Sequence, residues 1–276
     1  MTSEFSVLMS IYQGENPLFF EQCLKSLVDQ KLKASEVIIV EDGIIPKELK
    51  VIIDDFREAL NIKSLILKEN SGLAVALNFG LQHCKYNLVA RMDSDDVSLA
   101  DRFESQIKTF NESKNLDILG TYAQEIDSMS NKGRVRKMPL EHDEIYSCLY
   151  AIPFIHPSVM FKKSSILKLG GYNNLLRRRQ DYDLWFRAGK AGLKFKNLSE
   201  ILLLYRFDHN THARQSLISL LQQGFIGLKG VCMLKQSFWK GIVAFIPFLR
   251  GLLPISIQHK TYNYLKKFDP REKVNH

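Results

Sequence analysis

Three carboxylates in four residues, Asp93-Ser94-Asp95-Asp96, follow directly on the apolar run Leu88-Val89-Ala90-Arg91-Met92. Packed that closely, carboxylates repel one another unless a cation neutralises them. Hard divalent cations take carboxylate oxygens together with substrate phosphate oxygens, so this cluster is a candidate metal site. A helix N-terminus rich in acids is the plainer reading, but it leaves the apolar run in front unexplained. An EF-hand does not fit, since the Gly and the closing Glu are missing from their offsets. A second acidic turn, Gln180-Asp181-Tyr182-Asp183-Leu184-Trp185, opens a helix behind Arg177-Arg178-Arg179. It reads either as a dipole-favoured cap or as the seat of a general base, an Asp placed to take a proton from an incoming hydroxyl. Asp42-Gly43, after Val37-Ile38-Ile39-Val40-Glu41, is by itself a turn signal. The histidines of Ile155-His156-Pro157 and Arg206-Phe207-Asp208-His209 are weak signals alone.

These residues need elements to position them. Short apolar or β-branched runs at residues 5–11, 36–41, 64–67 and 87–92 predict strands. Between them, residues 17–30, 46–60 and 72–84 carry helical periodicity, the first with Asn16 as cap and Pro17 at the first helical position. A further helix over 99–110 is expected to be capped by Ser98. Strand and helix alternating at this spacing predict a mostly parallel sheet with helices on both faces, a Rossmann-like α/β fold. Ligands in such sheets bind at the carboxyl ends of strands, where Asp42 and Asp93–Asp96 stand. Beyond residue 116 the pattern predicts strands over 117–126, 158–161 and 201–207, a turn at 131–133, and helices over 164–169 and 181–191. After Thr211 the chain reads as helical, broken at Pro247 and Pro254.

Composition bounds the class. The 276 residues, 45% hydrophobic and 25% charged, suffice for a sizeable core and exclude a disordered or collagen-like chain. Cys23, Cys84, Cys148 and Cys232 form no C-x-x-C pair, which argues against a disulfide framework or zinc knuckle and for a reducing compartment. Residues 1–4 lack the marks of a signal peptide, so none is expected. The net charge of +8 lies entirely after Asp208, since the acids and bases before that point balance. Basic residues there are spaced singly among Leu, Ile and Phe, which suits an anionic bilayer surface better than a nucleic-acid groove. Residues 238–254 are the most apolar stretch, but Arg250 and two prolines cut it too short to span a bilayer. An interfacial position is expected, with Trp239 at the acyl boundary and Lys240, Arg250, Lys260, Lys266 and Lys267 at the head groups.

Taken together, the motifs resemble those of the family 2 glycosyltransferases with the GT-A fold, of the bacterial O-antigen and exopolysaccharide (amylovoran) kind. The resemblance covers about the first two hundred residues, one domain's worth. It rests on Ser6-Val7-Leu8-Met9-Ser10-Ile11-Tyr12, Val40-Glu41-Asp42-Gly43, Asn70-Ser71-Gly72-Leu73-Ala74-Val75-Ala76-Leu77-Asn78, Met92-Asp93-Ser94-Asp95-Asp96, His156-Pro157 and Gln180-Asp181-Tyr182-Asp183-Leu184-Trp185, in family order. It implies that Ser10, Tyr12 and Asp42 contact the uracil of a UDP-sugar. Asp93 faces the ribose, and Asp95 binds Mn²⁺ or Mg²⁺ bridging the diphosphate. Asp181 is the implied catalytic base, with Gln180 where the family usually has Glu, and Leu77 stands where many relatives have Arg. His209 is a looser match to a metal or diphosphate ligand, in competition with His212. His156, Arg178, Arg179 and Trp185 are candidate diphosphate or acceptor contacts.

The expected activity is inverting transfer of a hexose, galactose or glucose, from a UDP-sugar to an undecaprenyl diphosphate-linked saccharide at the cytoplasmic face of the cell membrane. The expected organisation is a catalytic domain over 1–210, with a nucleotide-binding half over 1–97 and an acceptor half over 98–210. A basic amphipathic helical tail follows over 211–276. A sugar-nucleotide pyrophosphorylase and a dehydrogenase both call for a Gly-rich phosphate loop after the first strand, and Tyr12-Gln13-Gly14-Glu15-Asn16 has one Gly. A non-catalytic saccharide-binding protein of the same fold is the rival from another class; the intact Asp93, Asp95 and Asp181 argue against it.

Overall fold

A computed structural model describes residues 3–207, 216–254, 257 and 269–271. The described strands form one nine-stranded sheet. Its first half is parallel: β3 (Ile62–Ile66), β2 (Glu36–Glu41), β1 (Ser6–Ile11) and β4 (Leu88–Arg91) lie side by side. The chain steps outward from β1 to β2 and β3, then returns to the other side of β1. That reversal between β1 and β4 is the crevice where open α/β sheets bind ligands. Beyond β4 the sheet becomes mixed. β8 (Met160–Lys162) runs antiparallel to β4, and β6 (Ile118–Ile126) and β9 (Phe195–Arg206) follow as a parallel pair. β5 (Val97–Ser98) closes the edge on β9, and β7 (Lys132–Arg136) folds back on β6.

The central strands are buried on both faces, and alternate residues feed two cores. Val7, Met9 and Ile11 of β1 pack with α1 (Pro17–Val28), α2 (Lys47–Phe56) and α4 (Arg102–Glu112). Leu8 points the other way, into a core shared with α3 (Leu73–His83), α6 (Lys163–Lys168) and α7 (Gln180–Lys190). As expected, Asn16 caps α1, accepting the Leu18 N–H at 3.0 Å, and Pro17 opens it.

Local pattern and tertiary structure part in several places. Ser98 does not cap α4. It pairs with Leu203 in β5, its N–H donates to Ser26 Oγ, and α4 starts at Arg102. β9 begins at Phe195, six residues before the expected strand. Register shifts opposite Tyr122 break its period-two signal. β7 and α5 (His142–Ser147) are short elements that the pattern did not announce.

Among the described residues the tail is helical as expected, as α8 (Leu217–Met233), α9 (Phe238–Val243) and α10 (Ile246–Gly251), with Pro247 in the first turn of α10 after the interruption at Ala244 and Phe245. α8 presents Gly224, Gly227 and Gly230 at three-residue spacing. Added Cβ atoms would come within 2.4 Å of Phe245 and Ala244 and 2.3 Å of Phe186, so only glycine permits this approach. The helix therefore lies directly on α7. No helix among the described residues is long and apolar enough to cross a membrane.

Candidate active site

The carboxyl ends of β1, β2 and β4 open into a pocket of about 600 Å³. Ser10, Tyr12, Asp42, Asp93 and Asp95 all line it, so the structure brings together every residue assigned to the nucleotide. Asp42 is almost wholly buried, and its two oxygens accept the Ser71 N–H at 2.7 Å and the Gly72 N–H at 2.9 Å. It thereby ties the end of β2 to the start of α3, where Gly72 takes a φ of 93°.

Asp93, Asp95 and Asp96 bring ligand oxygens within 4.8 Å of one another. Burial, followed by the charge of Asp93, pushes Asp95 up to about 6. The same two causes, with Asp95 added, raise Asp96 well above the usual carboxylate range. Asp96 Oδ1 accepts the Arg206 backbone N–H at 2.7 Å, while Oδ2 is buried with no hydrogen-bond partner among the described residues. A buried oxygen without a donor, beside two crowded carboxylates, suits a divalent cation. Arg206 also donates Nε–H to the Asp95 carbonyl at 2.8 Å, and its guanidinium lies 3.9 Å above the Phe19 ring centre. The last strand thus clamps the acidic loop.

Glu15 joins this pocket unannounced. Burial, with Asp95 and Asp93 adding their charge, drives its carboxyl up to about 7 despite a hydrogen bond to Ser94. An acid four residues after β1 carries no local signal of a site; only the crevice gives it one.

A second cavity, of about 460 Å³, adjoins the first, and Leu73 and Asp93 line both. Asp181 faces it from the first turn of α7. Burial raises its carboxyl above the ordinary value, and the Arg179 charge opposes that rise. Asp183 is engaged elsewhere, accepting Arg187 Nε–H at 2.7 Å. Arg179 takes the left-handed region, φ 62°, a conformation held by its surroundings at the helix start. The three arginines divide: Arg177 and Arg178 line the first cavity and Arg179 the second.

His156 lines the second cavity, its Nε2 2.9 Å from the Tyr172 hydroxyl. Burial and then the Arg91 charge lower its pKa well below the usual value, so the imidazole is neutral. Trp185, expected as an acceptor contact, is instead fully buried behind His156, its ring centre 6.0 Å from the imidazole. It supports the site from the core because the helix face that carries it packs against Phe154. Arg91, a strand residue the pattern passed over, is buried, pairs with Asp93 and reaches the second cavity. Asn78 of α3 braces the loop before the arginines, donating to the Tyr172 carbonyl and accepting its N–H, both at 2.7 Å. His209 and His212 lie outside the described residues, as do Lys260, Lys266 and Lys267.

Comparison with known proteins agrees with this geometry. The family model of glycosyl transferase family 2 matches residues 6–185. The chain is 37% identical over 215 residues to the UDP-Gal:alpha-D-GlcNAc-diphosphoundecaprenol beta-1,3-galactosyltransferase of Escherichia coli, covering 78% of each. It is 37% identical over 203 residues to the amylovoran biosynthesis glycosyltransferase AmsE of Erwinia amylovora, covering 73% of this chain and 76% of that one. Among solved structures, S. aureus TarS 1–349 in complex with UDP-GlcNAc superposes with a TM-score of 0.70 at 18% identity, over 98% of this chain and 82% of that one. The shared architecture is the GT-A fold. With the family match spanning most of the catalytic core, the chain belongs to glycosyl transferase family 2 and is a glycosyltransferase of the bacterial O-antigen and exopolysaccharide kind.

Proposed function

We propose that the chain moves a hexose, galactose or glucose, from a UDP-sugar to a lipid-diphosphate-linked saccharide, inverting the anomeric centre to a β-linkage. The observation that carries this reading is that Asp93 lines both cavities, so a donor in the first presents its sugar to an acceptor in the second. Asp42, Ser10 and Tyr12 hold the uracil end of the donor. Asp95, with Asp93 and Asp96 beside it, would hold Mn²⁺ or Mg²⁺, which would supply neutralisation of charge on the diphosphate leaving group.

Asp181 accepts the proton of the acceptor hydroxyl as its oxygen bonds to the anomeric carbon. The bond from that carbon to the donor diphosphate breaks on the opposite face, and UDP departs. The transition state has oxocarbenium character, as in hydrolysis of the same type of bond. Burial raises the Asp181 carboxyl above its ordinary value, which makes it a stronger base. Neutral His156 donates or accepts a hydrogen bond without adding charge beside it.

The relative from Escherichia coli uses UDP-Gal and a diphosphoundecaprenol-linked GlcNAc by its name, which supports the substrate class proposed here. The exposed apolar face of the C-terminal helices supports work at an anionic membrane surface, within reach of such an acceptor. The test is UDP release from a panel of UDP-sugars against synthetic lipid-diphosphate GlcNAc and GalNAc. Acceptor-dependent release with a new β-linked product is expected. Formation of UTP from UDP-sugar and diphosphate, with no transfer to any acceptor, would instead identify a pyrophosphorylase.

A further inference from the structure

Beyond Asp181 the second cavity is lined by arginines from four separate parts of the chain. Arg134 and Arg136 are alternate residues of β7, Arg179 precedes α7, Arg250 lies in α10, and Arg271 sits near the C terminus. Arg134 and Arg136 direct Nε to the same oxygen of Glu125, at 3.0 and 2.6 Å, so one carboxylate serves two guanidinium groups. Arg136 is further held flat against Tyr205 and Phe207, 4.5 and 4.6 Å from the ring centres. Arg271 pairs with Asp269 at 2.6 Å. The acids that line the same cavity, among the described residues, are Asp93, paired with Arg91, and Asp181.

The arginines also mark a junction. Arg134, Arg250 and Arg271 line a third cavity, of about 290 Å³, together with Asp269, Gln223 and an apolar wall of Ile152, Val243, Ala244, Ile246 and Pro247. The helices α9 and α10 that build this wall expose Trp239, Ile242, Leu249 and Leu252 on their outer side, each more than half open to solvent. The cavity that holds Asp181 and the cavity that holds the apolar wall therefore share Arg134, Arg250 and Arg271, so the arginines stand between a carboxylate and a hydrocarbon groove.

We propose that this arginine junction grips the diphosphate of a polyprenyl-diphosphate-linked saccharide, with its sugar at Asp181 and its first isoprenoid units in the groove between Ile152 and α9–α10. The inference rests on the lipid-linked acceptor proposed above and assigns the residues that recognise it. Planar guanidinium forks match paired phosphate oxygens bidentately. A lipid monophosphate fills half of such a site, and a free lipid alcohol none of it.

The probe is farnesyl diphosphate, titrated calorimetrically into the full chain in Mn²⁺ buffer with saturating UDP, beside farnesyl monophosphate and farnesol. The diphosphate is expected to bind in the presence of UDP, about tenfold more tightly than the monophosphate, with farnesol far weaker. Arg134→Gln and Arg250→Gln are each expected to weaken it about five- to tenfold, with UDP affinity unchanged as the measure of an intact fold. Arg250→Lys, which keeps the charge and loses the fork, should fall between. Val243→Glu should weaken farnesyl diphosphate but not inorganic diphosphate. Displacement of the probe by UDP, indifference to the arginine substitutions, or equal affinity for farnesol would each overturn the proposal. The readout is binding, so failure of every lipid-linked acceptor in the transfer assay would sink the reaction proposed above and leave this result standing.

Discussion

Asp42 and Gly72 stand thirty residues apart, and Asp42 Oδ2 accepts the Gly72 N–H at 2.9 Å while Oδ1 takes that of Ser71. The carboxylate at the end of β2 therefore organises the mouth of α3 as well as lining the proposed donor pocket. Asp42→Asn places an amide donor against one of those N–H groups. A stability loss of about 1–3 kcal/mol is expected, from an unsatisfied buried donor. UDP-sugar KM should rise with it, and calorimetry and donor titration read the two effects separately. Unchanged stability with weakened donor binding would assign Asp42 to the nucleotide alone.

The acidic loop ties metal binding to pH. Asp95, raised to about 6, and Asp96, raised well above the usual carboxylate range, hold protons that a cation must displace. Affinity for Mn²⁺ should rise from pH 5 to pH 7 and level off above. EDTA should abolish transfer reversibly, and Asp95→Ala irreversibly. Full activity in EDTA would overturn the metal-dependent reading of the cluster.

The metal-free protein should show the opposite slope. Glu15, at about 7, and Asp95 have folded pKa values above their unfolded ones. The folded state then holds more protons than the unfolded state between about pH 4 and pH 7. Stability contributed by these groups is complete below that window and is lost as pH rises through it. Thermal melts without metal should fall across the window, and Glu15→Gln should flatten the fall.

Asp181 and Asp183 separate the proposed base from a brace. Asp181→Asn keeps shape and removes the proton acceptor, so kcat should drop by roughly two to four orders of magnitude with donor affinity kept. Asp183→Asn breaks the contact with Arg187 and should lower melting temperature with kcat largely retained. Reversal of that pattern would move the base to Asp183.

Membrane binding can be tested without truncation, which would uncover the glycine face of α8. Trp239→Glu with Leu249→Glu alters side chains that are 53% and 56% exposed and leaves Ala244 and Phe245 in place. Flotation with anionic liposomes should fall for this variant and fall with salt for the parent chain. Equal flotation of both would refute a peripheral anchor at this surface.

Much of the fold was legible because it is written locally. Strand and helix periods, the Asn16-Pro17 start of α1 and the acids closing β2 and β4 depend on neighbours within a turn or two, and their spacing leads to the crevice between β1 and β4. Local pattern failed where partners lie far off in the chain. Ser98 became a strand residue because β9, about a hundred residues later, offered Leu203 as its pair. Trp185 withdrew into the core because Phe154 and His156 cover it.

What the amino-acid order pointed to by itself was the family, through its ordered motifs, together with the acidic loop proposed to hold a metal and the Asp181 proposed as base, each of which lies in a contiguous motif. Tertiary structure alone decided that Glu15 meets Asp93 and Asp95, that Arg206 clamps the acidic loop, and that Arg134, Arg179, Arg250 and Arg271 converge on one cavity. Residues scattered over more than a hundred positions carry no periodic signal of meeting. They are joined by long-range strand pairing and by the docking of α8 on α7, whose register is set by shape and burial rather than by any neighbour in the chain.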